Sequence, residues 1–118
     1  MRIIATASVV GFHRWEDAPP DVGYLARNHR HVFTFRAELR VGNSDRAAEF
    51  HQVQRWLRSV IPTLAREPSV ECNEMNFGGQ SCEMLAERLG LLLSRAGYAP
   101  HAVEVWEDNE NAGRVEFA

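Results

Sequence analysis

At 118 residues, with 45% hydrophobic and 25% charged side chains, the chain has the size and composition of one globular domain able to build a core without disulfides. A formal net charge of −3, thirteen basic residues that are all arginine, and no basic run exclude a footprint for non-specific nucleic-acid binding. No stretch is long and apolar enough to span a bilayer, so no membrane partner is expected.

Ile3 to Phe12 reads as a first strand, rich in Ile, Val and small residues, and lacks the basic start and cleavage site of a signal peptide. The segment from Arg14 to Asn28 holds Pro19, Pro20 and Gly23 and reads as a loop. His31 to Val41 is the clearest strand. Phe33, Phe35, Ala37, Leu39 and Val41 alternate with Thr34, Arg36, Glu38 and Arg40, which predicts one buried and one wet face, as in antiparallel sheets. Gly42-Asn43-Ser44-Asp45 reads as a turn and helix start. A helical stripe follows: Phe50, Val53, Trp56, Leu57, Val60, Ile61 and Leu64, with Pro62 expected to end or kink it. Arg66 to Gln80 reads as irregular. A second helix is predicted from about Ser81 to Ala96, capped by Ser81 and ended by Gly97. Its apolar stripe is Met84, Leu85, Leu89, Leu92, Leu93 and Ala96. Ala102 to Trp106 and Arg114 to Phe117 read as a closing hairpin turned at Asn109 to Gly113. The order is β-β-α-α-β-β.

The sharpest chemical feature is His29-Arg30-His31. Alternation along a strand puts both imidazoles on one side. If the first two strands form an antiparallel hairpin, His13 comes down beside them. Three neutral imidazoles with an open fourth position describe a catalytic zinc site; two surface histidines and one at a strand end are the alternative. Glu107 follows Val103-Glu104-Val105-Trp106, and a carboxylate there can accept two parallel hydrogen bonds from a planar N–C–N donor edge of a pterin or guanine. The alternative is an exposed strand-end acid. At Gln80-Ser81-Cys82-Glu83, free backbone N–H groups can bind an oxygen-rich ligand, or simply form an ordinary cap. Cys72 and Cys82, the only cysteines, read as free thiols in a reducing compartment, hence a cytoplasmic protein, or as buried small apolar residues.

These pieces together resemble the 6-pyruvoyl-tetrahydropterin synthase and 6-carboxy-tetrahydropterin synthase family, over essentially the whole chain. The resemblance implies a single domain, residues 1–118, of α+β class. Its architecture is the T-fold: an antiparallel four-stranded sheet in β-β-α-α-β-β order with two helices packed on one face. In that family a histidine after the first strand and an H-G-H pair opening the second bind zinc; Phe12-His13-Arg14 and His29-Arg30-His31 match those places. Glu49-Phe50 is similar to the family's Asp-Phe pair, and Gln80-Ser81-Cys82-Glu83 to its Pro-Thr-x-Glu. The glutamate that grips the pterin ring falls on Glu107, expected to meet the zinc across a subunit boundary or close to one.

Departures concern the acid–base groups. The family's proton-abstracting cysteine is replaced by Leu25. Its Leu-Asp-His-x-x-Leu-Asn becomes Val70-Glu71-Cys72-Asn73-Glu74-Met75-Asn76, leaving Glu71 and Cys72 as catalytic candidates, with Tyr24 or Asp21 able to approach from the loop. The resemblance thus implies a zinc-dependent lyase acting on a reduced pterin or related purine-like compound, assembled as a homotrimer or hexamer. The second hypothesis is a protein that kept the pocket and lost the reaction; a purely structural module is the third. The family serves biopterin, folate and deazaguanine pathways, and no residue chooses among them.

Overall fold

The computed structural model describes residues 1–67 and 74–118. Its elements are β1 (Arg2–His13), β2 (His29–Arg40), α1 (Phe50–Val60), β3 (Met75–Asn76), α2 (Cys82–Arg95), β4 (Pro100–Glu107) and β5 (Asn111–Glu116). Two 3-10 segments, Pro20–Ala26 and Ile61–Leu64, complete them. The sheet order is β3-β1-β2-β4-β5.

This corrects the expected antiparallel four-stranded T-fold with two helices. The sheet has five strands and is mixed, because β3 runs parallel to β1, pairing Gly11 with Met75 and Phe12 with Asn76. The 3-10 segments add helical turns beyond the two α-helices. A two-residue strand is too short to show a period of two, and Gly78 and Gly79 beside it read as a loop. What makes β3 is tertiary. Phe77 donates its N–H to the Phe12 carbonyl at 2.8 Å. Gly11 permits the approach: a Cβ there would stand 2.9 Å from both the Met75 carbonyl oxygen and the Phe77 ring.

The long strands form where alternation puts them. Phe33, Phe35, Ala37 and Leu39 of β2 are buried, and so are Ala5 and Ala7 of β1 and Val103 and Val105 of β4. They share one core with Val53, Leu57, Ile61 and Leu64 from the first helical stretch and Leu85, Leu89 and Leu93 of α2. On the opposite face Glu38 is not wet but 7% exposed, covered by guanidinium groups. Helix α1 begins at Phe50, not at Asn43-Ser44-Asp45, because the Glu49 carboxylate caps it, accepting from the His51 N–H at 2.6 Å. Pro62 turns the helix into the 3-10 segment that follows. Ser81 caps α2 through the Met84 N–H, and Gly97 leaves the helix at φ +94. Among the described residues no helix is long and apolar enough to cross a membrane.

Candidate metal centre

Strand pairing builds the site. In the β1–β2 register His13 faces His29 and Gly11 faces His31. In β2–β4, Phe33 faces Glu107. His29, His31 and Phe33 lie two apart on β2, so the row that buries Phe33 and Phe35 ends in imidazoles. The ring centroids lie 4.5 Å (His13–His29), 5.3 Å (His13–His31) and 4.9 Å (His29–His31) apart. One nitrogen from each ring falls within 4.8 Å of the others, close enough to share a metal ion.

Each ring is held by its other nitrogen. His13 Nδ1 lies 2.9 Å from the Gln80 carbonyl oxygen, His29 Nδ1 2.9 Å from the Arg27 carbonyl oxygen, and His31 Nδ1 2.6 Å from Asp108 Oδ2. A carbonyl or carboxylate oxygen only accepts, so each Nδ1 carries a proton, and in the neutral ring each Nε2 presents a lone pair. This is the outer support that metal-binding imidazoles use. Gln80 is itself pinned: its side-chain amide donates to the Leu64 and Phe77 carbonyls, and its oxygen accepts from Arg88. Burial is the largest influence on His13 and lowers its pKa, favouring the neutral ring with a free lone pair. Among the described residues, His31 Nε2 is buried with no hydrogen-bond partner. A buried ring nitrogen without a partner, in a cluster of three imidazoles, fits a cation as the missing partner.

Glu107 lies on the triad within the same chain. Its Oε1 is 3.0 Å from His13 Nε2 and its Oε2 3.6 Å from His31 Nε2. The Cys82 thiol donates to Glu107 Oε1 at 3.4 Å. Burial first, then the Glu107 charge, push that thiol far up, so Cys82 stays protonated and acts as a donor rather than a base. A cleft of about 490 Å³ opens beside these groups, and Leu25, His29, Ser81, Cys82, Glu83 and Glu107 line part of it. The Ser81 oxygen is already engaged as the α2 cap. Leu25 contributes only apolar surface to the cleft. Tyr24 and Asp21 do not line it. Glu71 and Cys72 lie outside the described residues.

Sequence reasoning missed Asp108, whose carboxylate holds His31 and accepts from the Val32 N–H at 2.8 Å. Its place in a short acidic cluster gave no sign that it would turn back onto β2.

No protein-family model matches this chain. No curated protein matches it either. Among solved structures it is similar to an uncharacterized protein of Wolinella succinogenes, 14% identical with a TM-score of 0.64, over 100% of this chain and 98% of that one. At that identity the likeness speaks for the fold alone.

Proposed function

We propose that the protein holds zinc through His13, His29 and His31 and acts as a tetrahydropterin-synthase-like carbon–oxygen lyase on a reduced pterin or related purine-like compound. The observation that carries this reading is the set of three imidazoles with every Nδ1 engaged and one nitrogen from each within 4.8 Å of the others. A zinc ion held there supplies Lewis acidity, which lowers the pKa of C–H and O–H groups beside it. The chain's own residues do the rest. The apolar wall at Leu25 excludes water, while the Cys82 thiol and the Glu107 carboxylate meet the polar edge of the ligand. Proton abstraction falls to Glu71 or Cys72, since Cys82 holds its proton. The sheet ends in the six-residue strand β5, an open edge that supports a homotrimer or hexamer.

A second reading, a pterin- or purine-binding protein without turnover, is favoured by Leu25: the cleft wall beside His29 offers no proton acceptor there. One experiment separates the two. Purified protein is analysed for metal and incubated with dihydroneopterin triphosphate. Zinc near one per chain, with turnover abolished by His29→Ala, supports the lyase. Zinc and pterin binding without turnover selects the second reading. Absence of zinc, with ligand binding untouched by His29→Ala, sinks both. Light scattering that finds a monomer at micromolar concentration removes the oligomer.

A further inference from the structure

We propose that Glu107 is the fourth ligand of the metal in the resting protein, so that three imidazoles and one carboxylate close the site, which opens only when an incoming oxygen displaces that carboxylate. The inference rests on the zinc reading above and deepens it.

The Glu107 side chain is partly withdrawn from water, 26% exposed, so what its oxygens face within the site matters. Among the described residues its side-chain donor is the Cys82 thiol, a weak one. Its other close neighbours are His13 Nε2 at 3.0 Å and His31 Nε2 at 3.6 Å. In the neutral rings, whose Nδ1 protons go to Gln80 and Asp108, both are lone-pair atoms. Two acceptors facing an anion repel unless something positive lies between them. Ligand atoms on one tetrahedral zinc, each at roughly 2.0–2.1 Å from it, stand about 3.3 Å from one another. The two observed separations, each measured from a different carboxylate oxygen, lie close to that spacing and put the carboxylate beside both nitrogens. Position in the sheet explains why: Glu107 faces Phe33, the residue two beyond His31 on the same face of β2.

The consequence is a gate made of one side chain. With a metal bound, a chelating oxygen of the ligand would take the place of the Glu107 carboxylate. The freed carboxylate, still beside the Cys82 thiol, is then available to accept hydrogen bonds from the ligand. No bond to carbon forms or breaks in this exchange.

The test uses the full chain loaded with Co2+ in place of zinc. Water-proton relaxation by the bound Co2+ reports whether water sits on the metal. The wild type is expected to show no inner-sphere water, and Glu107→Gln to gain one, shift the visible d–d bands and bind zinc at least about tenfold more weakly. Exchangeable water on the wild-type metal overturns the inference without needing any variant. So does a Glu107→Gln protein with an unchanged spectrum and zinc affinity. In both of those cases the three-histidine site stands. Failure of the wild type to bind Co2+ or zinc at all overturns this inference and the proposed function together.

Discussion

Asp108 shows how one residue sets an imidazole. It sits at φ 52, in the left-handed region that Asp and Asn tolerate better than most residues. That conformation turns its carboxylate back onto His31 Nδ1 and the Val32 N–H. Those two bonds, in that order, lower its pKa, so it stays ionised as an acceptor. We expect Asp108→Ala to weaken metal binding by roughly 10- to 100-fold while leaving all three histidines in place. Competition against a chromophoric chelator measures this, and an unchanged affinity would show that His31 needs no such support. His13 and His29 lean on backbone carbonyls, which no side-chain substitution at Gln80 or Arg27 removes directly.

At the level of elements, the outer face of the sheet is tied by charge. Glu38 of β2 accepts from Arg36 at 2.8 Å and from Arg114 of β5 at 3.0 and 3.1 Å. Glu104 of β4 accepts from the same two arginines at 3.0 and 2.6 Å, and from the Trp106 indole. The Arg114 hydrogen bond is the first cause that brings Glu38 from the ordinary 4.5 down to about 2. A folded pKa below the unfolded one stabilises above the unfolded value, and that stability is lost as pH falls through the folded value. Glu38→Gln should therefore destabilise by about 1–3 kcal/mol at neutral pH. The gap from wild type in urea midpoints should close between about pH 5 and pH 2; a gap independent of pH would refute the account.

The contact of α2 with Phe117, the residue just after β5, gives a second test at this scale. A Cβ on Gly90 would lie 2.0 Å from the Phe117 ring. Glycine to alanine inside a helix ordinarily gains about 1 kcal/mol, but here overpacking costs about 1–3 kcal/mol. Gly90→Ala should lower the thermal midpoint; a rise would mean that Phe117 moves aside freely.

Over the whole molecule, a metal held by the triad would couple the site to the fold. The triad joins the end of β1 to the start of β2, so a cation there clamps the hairpin at the centre of the sheet. A ligand that binds only the folded chain, at 100 times its dissociation constant, adds about 2.7 kcal/mol. For a chain of this size that raises the thermal midpoint by roughly 10 °C. Scanning calorimetry with zinc and then with excess chelator checks it. Equal midpoints would mean that the three rings hold no metal.

How much was legible follows from the range of each interaction. The H-x-H pair, the alternation of β2, the stripes of both helices (except Phe50 and Met84, which are exposed) and the Ser81 cap are local patterns, set by periods of two and 3.6 along the chain. The sequence alone therefore placed three histidines at strand ends and predicted a hairpin to join them. Only the tertiary structure decided the parallel strand β3, the left-handed turn that brings Asp108 to His31, and the meeting of Glu107 with the triad. Each of these joins residues from elements far apart in the chain. Their geometry is set by sheet register and by close backbone approach at Gly11, which no period in the sequence encodes.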